Sequence, residues 1–157
     1  MIPITEDKIR SRLNFLYETA KELPGANRKP SGWQARIAAG IWIKNEMVAL
    51  GWNQARTSPF QAKYGRNEEA IFIHAETHAL RQALRRFDQD ELRRARTTMF
   101  IVRAKKMKVY KNLRQWCWGL AKPCPGCAGA IADFGISRVI YSLDEDKMAA
   151  QEWSDLL

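Results

Sequence analysis

The chain predicts an α/β fold on a mixed sheet, opened by an antiparallel hairpin and extended through crossover helices. Three observations predict it. Two β-rich apolar runs, 37–43 and 47–52, stand back to back around Lys44-Asn45-Glu46. Two further short strand-like runs, 98–102 and 138–142, each follow a stretch with helical periodicity. No internal repeat or compositional break divides the 157 residues, of which 46% are apolar. That is enough for one core, so 1–157 is read as a single domain.

The elements follow in order. Thr5 before acidic residues marks a helix start, and Ile9, Leu13, Leu16, Tyr17 and Ala20 recur at helical spacing until Pro24-Gly25 breaks the helix near Leu23. Residues 26–32 are rich in Pro, Gly, Asn and Ser and read as a mobile loop, which the hairpin follows. Residues 53–66 lack periodicity and read as a long loop. Ala75, Ala79, Leu80, Ala83, Leu84 and Phe87 then form one helical stripe, which puts His74 at or just before that helix's N-terminus. After the strand at 98–102, the basic and aromatic stretch 104–121 reads as an extended loop or a strand extension. Pro123 opens another helix, with Ala128, Ile131, Ala132 and Phe134 inward and Gly135 at its end. A strand at 138–142 and a final helix over 144–157 complete the order α-β-β-α-β-α-β-α.

A net charge of +9, from 26 Lys and Arg against 17 Asp and Glu, suits a polyanionic or phosphorylated partner, or simply a soluble basic surface. Three cysteines cannot pair completely, and Cys124 and Cys127 stand only three positions apart. Metal ligation in a reducing compartment fits them better than a disulfide framework. The N-terminus has no basic and apolar signal segment, and no run approaches ~18 apolar residues. A cytoplasmic, soluble chain with no membrane partner is expected.

The chemistry concentrates in His74-Ala75-Glu76 and Pro123-Cys124-Pro125-Gly126-Cys127. Cys124 and Cys127 at i, i+3 on a helix N-terminus point the same way, and the positive helix end favours thiolate. His74 supplies a third ligand, leaving one tetrahedral position of a Zn2+ ion for water. Glu76 is near enough to move that water's proton without binding the metal. Other readings are a structural zinc knuckle closed by Cys117 or His78, a metal-binding His74/His78 pair at i, i+4, and a redox pair of Cys124 with Cys127. Ligation by both histidines would close the metal shell, so His78 is read as a pocket-wall or core histidine. The spacing H-x-E…P-C-x-x-C is that of zinc-dependent base deaminases.

At these residues the chain resembles the cytidine and deoxycytidylate deaminase family, including its tRNA adenosine deaminase branch, over 35–142. Val48-Ala49-Leu50-Gly51-Trp52-Asn53 is similar to the family's strand end with its sugar-binding asparagine, and Cys127-Ala128-Gly129-Ala130-Ile131 to its second zinc helix. The resemblance implies a three-layer cytidine deaminase-like fold, with His74, Cys124 and Cys127 on zinc and Glu76 as catalytic proton carrier. It also implies substrate contacts at Asn53, Ala75 and Pro123. Lys122 departs from the family's usual Ser or Glu and joins Arg28, Lys29, Arg36 and Arg66 as a candidate for a substrate phosphate. Stretch 104–121 has no match, and the fifteen residues after Ser142 leave room for only a short fifth strand, or none.

The leading expectation is a zinc-dependent hydrolytic deaminase of a free nucleotide or nucleoside, of the deoxycytidylate or cytidine type, working as a homo-oligomer. The alternative acts on cytosine or adenine within single-stranded nucleic acid or tRNA. Lys105, Lys106, Lys108, Tyr110, Lys111, Arg114, Trp116 and Trp118 interleave charge and rings as a stacked single strand requires. A structural zinc-binding domain without catalysis is the non-enzymatic reading, which the presence of Glu76 disfavours.

Overall fold

A computed structural model describes residues 3–23, 36–65, 72–111, 113–144 and 150–153. Helix α1 (Glu6–Glu22) begins where Thr5 Oγ1 accepts the Lys8 N–H at 3.3 Å and ends at Leu23. The expected mobile loop at 26–32 lies outside the described residues. Strands β1 (Arg36–Ile43) and β2 (Glu46–Trp52) pair antiparallel, as expected, with a register shift at Ile41/Trp42.

The stretch 53–66 is not all loop. Ser58-Pro59 starts a short helix, α2 (Pro59–Tyr64), because proline at the first helical position loses no hydrogen bond. Helix α3 (Ala75–Leu84) follows, with His74 as its N-cap residue. A further unforeseen helix, α4 (Gln89–Arg94), rests on a capping box between Asp88 and Glu91. Strand β3 (Thr98–Tyr110) runs far past the expected 98–102 and returns as β4 (Leu113–Gly119), so the strand-extension reading of 104–121 is the correct one. Helix α5 (Pro125–Asp133) starts two residues later than expected, with Cys124 as its N-cap, and the chain turns at Gly135 with φ 69°. Strand β5 (Arg138–Ser142) is as expected.

The final helix is overturned: 150–153 form strand β6 (Ala150–Trp153), antiparallel to β5. Alternation is a poor guide there because pairing with β5, not local periodicity, makes the strand. The sheet runs β2-β1-β3-β5-β6, with β3 and β5 parallel and β4 beside the outer half of β3. Buried Ser142 joins β4 to β5: its Oγ donates to the Gly119 carbonyl at 2.7 Å and accepts the Arg103 N–H at 3.2 Å.

Two cores make three layers. On one face Leu13, Leu16, Tyr17 and Ala20 of α1 pack on Trp42, Phe100, Val102 and Ile140. On the other, Ala75, Ala79, Leu80 and Ala83 of α3 and Ala130 and Ile131 of α5 pack on Ile41, Met99, Ile101 and Val139. Helix α3 lies so close to β2 that a Cβ on Gly51 would stand 2.2 Å from the Ala79 nitrogen and 2.4 Å from the Ala75 carbonyl. The alanine stripe and this glycine together set how deep the N-terminus of α3 sits.

Candidate metal centre

The N-termini of α3 and α5 converge, and each carries a ligand-type side chain at its cap position. His74 Nδ1 lies 3.2 Å from Cys127 Sγ and 3.7 Å from Cys124 Sγ, and all three donor atoms fall within 4.8 Å of one another. A tetrahedral zinc with bonds of about 2.0–2.3 Å holds its donors roughly 3.3–3.8 Å apart, so this set fits the ion with little movement. Cys127 is buried, whereas His74 and Cys124 are half-buried and open one side of the cluster.

Electrostatics favours thiolate at Cys124. Cys124 Sγ accepts the Cys127 N–H at 3.5 Å at the positive end of α5. A hydrogen bond from the Cys127 thiol, with help from His74, brings the Cys124 thiol down to about 4. The same bond read from its donor, together with burial and the neighbouring Glu76, pushes Cys127 well above the ordinary thiol range. The protein groups by themselves thus hold one thiolate and one shared proton, which a cation bound between them would displace.

Glu76, in the first turn of α3, is only 6% exposed. Burial raises its carboxyl pKa, partly opposed by the charge of His74. An upward shift is the direction a carboxyl needs to serve as both general acid and general base.

His78 is committed elsewhere. Its Nδ1 accepts the Trp52 N–H at 3.1 Å and lies 3.1 Å from Gln54 Nε2, its Nε2 lies 3.0 Å from the Gln82 amide, and its ring meets Trp52 edge-on at 4.5 Å. Burial lowers its pKa and keeps it neutral. Among the described residues the donor cluster contains His74, Cys124 and Cys127, not His78 or Cys117.

The substrate candidates divide. Ala75 and Pro123 are buried beside the ligands, whereas Lys122 is exposed. Asn53 closes the hairpin: its Oδ1 accepts the Ile37 N–H at 2.9 Å. Arg36 points its guanidinium to the Lys21 carbonyl and over the Trp116 ring at 5.2 Å, on the α1 side of the sheet. Arg28, Lys29 and Arg66 lie outside the described residues.

Sequence reasoning missed Gln61 and Thr77. Gln61 of α2 is 1% exposed, and its Oε1 accepts the His74 N–H at 3.1 Å and the Thr77 hydroxyl. The Thr77 hydroxyl also lies 3.1 Å from the His74 carbonyl. The one available signal was Ser58-Pro59, a helix start three residues before a glutamine.

The model for the cytidine and deoxycytidylate deaminase zinc-binding region matches residues 13–143. The fold is similar to that of the dCMP deaminase of cyanophage S-TIM5, solved with dCMP and dUMP, at 15% identity and a TM-score of 0.55, over 90% of this chain and 85% of that one. It is similar also to the cytidine deaminase of Burkholderia pseudomallei, at 16% identity and a TM-score of 0.56, over 98% and 97% of the two chains. No curated protein matches by sequence.

Proposed function

Since this chain belongs to the family defined by the cytidine and deoxycytidylate deaminase zinc-binding region, we propose that it hydrolytically deaminates the base of a free nucleotide or nucleoside, of the deoxycytidylate or cytidine type. One observation carries the reading: a buried carboxyl, Glu76, stands beside a His74, Cys124, Cys127 cluster that, among the described residues, offers three donors and no fourth. Zinc held by those three would supply an activated water at neutral pH. Glu76 would carry one proton of the attacking water to the ring nitrogen beside the amine-bearing carbon, and the second, released from the hydroxyl added to that carbon, to the leaving amine. Water and the amino base become the carbonyl base and ammonia. Ala75 and Pro123 wall the base, and Asn53, at the end of the hairpin, meets the sugar.

The same reading makes the protein a cytoplasmic homo-oligomer. No described helix is long and apolar enough to cross a membrane. The β3–β4 arm exposes Met107, Val109, Tyr110 and Leu113, apolar surface that a second copy would cover.

That arm also supports the second reading, deamination within single-stranded nucleic acid or tRNA. Lys106, Lys108, Lys111 and Arg114 are exposed on it beside Tyr110, which is 65% exposed. Trp118 does not serve such a surface, because it is buried and stacks on Tyr17 with ring centroids 4.2 Å apart. Ammonia release measured across nucleosides, mononucleotides, single-stranded DNA and tRNA tests both readings. Turnover confined to free nucleosides or mononucleotides supports the first, and turnover of polymer alone replaces it with the second.

A further inference from the structure

The end of the sheet away from the metal centre carries charge that the deaminase reading does not use. A cavity of about 400 Å³ opens there between the start of α1, the β1–β2 turn and the first residues of β3 and β5. It lies beside Thr98, which pairs with Trp42 on one side and Arg138 on the other. Asn53 meets Ile37 at the opposite end of β1, and at about 3.3 Å per residue the strand separates the two places by roughly 20 Å. They also lie on opposite faces, since Arg12 belongs to the α1 layer and the metal ligands to α3 and α5.

Lys8, Arg12, Lys44, Arg96 and Arg138 line this cavity, and among its described lining residues there is no carboxylate. Glu152 engages Arg138 through two bonds of 2.9 and 3.0 Å, which leaves four positive charges. Lys8 donates to a neutral partner, Asn45 Oδ1, at 2.7 Å and so keeps its charge uncompensated. Glu6 in the first turn of α1 is taken by Arg10 at 2.8 Å.

Arg12 is the strongest sign of a ligand. Its side chain belongs to a residue only 9% exposed, lies over Trp42 and Phe100 at 5.1 and 5.4 Å, and among the described residues has one oxygen partner, the Lys44 carbonyl at 2.9 Å. A buried guanidinium normally meets a carboxylate or phosphate that offsets its lost hydration. Burial lowers its pKa, as expected of a cation with no anionic partner among the described residues.

Two of the lining residues sit in tight turns, a conformation that Lys111 shares at the β3–β4 turn with φ 47°. Lys44 has φ 55° and Arg96 φ 54°, left-handed conformations that glycine or asparagine adopts more easily. Both positions nevertheless carry long cations, and both line the same cavity.

We infer that this cavity is a second ligand site, built for a small molecule that carries two adjacent phosphate groups. One phosphate brings about −1.5 to −2 charges, so two match the four lining cations that no described carboxylate engages, and one does not. The volume falls in the range of small-molecule pockets, roughly 300–1,000 Å³, and exceeds what a lone phosphate needs.

Calorimetric titration of the zinc-loaded full chain with inorganic pyrophosphate tests the assignment, beside a variant with Lys44→Gly and Arg96→Gly. Glycine relieves both left-handed turns, so the variant should melt no lower than wild type, and a loss of binding cannot be charged to misfolding. Wild type should bind one pyrophosphate per chain, the variant about tenfold or more weakly, each lost contact being a charge-assisted hydrogen bond. Orthophosphate should bind wild type more weakly than pyrophosphate. No saturable binding by wild type, or equal affinity in the variant, would overturn the site. The second result includes pyrophosphate held at the metal centre. Orthophosphate binding as tightly as pyrophosphate would overturn the two-phosphate assignment.

Discussion

The backbone N–H of His74 is held by the side chain of Gln61, whose Oε1 accepts it at 3.1 Å from a helix thirteen residues earlier in the chain. The N-cap residue of α3 cannot turn without breaking that bond. Through it the short helix α2 becomes part of the support of the metal centre.

Gln61→Leu should therefore leave the half-buried His74 N–H without this acceptor, lower stability by about 1 kcal/mol and reduce zinc retention. Gln61→Glu keeps an acceptor oxygen and should retain more zinc than the leucine variant. Urea denaturation and elemental analysis of the two variants check this. Equal zinc content in wild type and Gln61→Leu would remove Gln61 from the support of the site.

Purified protein should carry one zinc per chain, since His74, Cys124 and Cys127 leave a single tetrahedral position for water. Replacing any of the three by alanine should release the metal and lower the melting temperature. Chelator-free protein that contains no metal by elemental analysis would refute the ligand set.

Glu76→Gln should keep both fold and zinc, because Glu76 is not among the clustered donors, yet lose nearly all turnover. General acid–base groups contribute typically 100- to 10,000-fold, and a loss of about that size is expected. Steady-state rates at matched zinc content measure it. A variant within about threefold of wild type would assign the proton transfers to another group, since so small a loss lies far below that range.

His78 offers a test by pH. Burial lowers its pKa below the ordinary 6.5, so the folded chain binds fewer protons at this residue than the unfolded chain does. Its contribution to stability is complete above 6.5 and falls away as pH drops through the lowered value. His78→Gln should retain zinc and flatten that part of the profile. Urea midpoints of the zinc-loaded proteins on either side of pH 6.5 provide the comparison, and identical slopes would count against a neutral buried His78.

The arm separates the two substrate classes by salt. An enzyme that grips a strand releases counterions, with a log-log slope of about −0.7 for each phosphate contacted. A shallow slope is expected here, and neutralising Lys105, Lys106, Lys108 and Lys111 together should barely change the rate on a mononucleotide. A steep slope with oligonucleotide preferred, lost on those four substitutions, would shift support to the polymer reading.

The three candidate metal donors were legible in the sequence because their chemistry is local. Cys124 and Cys127 are brought together by one helical turn, and His74-Ala75-Glu76 by one helix start, so spacing alone announces both halves. The hairpin and the amphipathic helices α1 and α3 were legible for the same reason, since a buried face writes its period into the chain. What joins the halves was not local. Contact between α3 and β2 at Gly51 sets how deep His74 sits, and the bond from Gln61 crosses from an element whose six residues are too few to show a period. Strand β6 exists because β5 offers it an open edge, and the long β3–β4 arm because each strand satisfies the other's backbone. Such pairings depend on partners distant in sequence, so only the tertiary structure decides them. The basic cavity around Arg12 is of the same kind: its lining residues span positions 3 to 138, and no window of sequence holds them together.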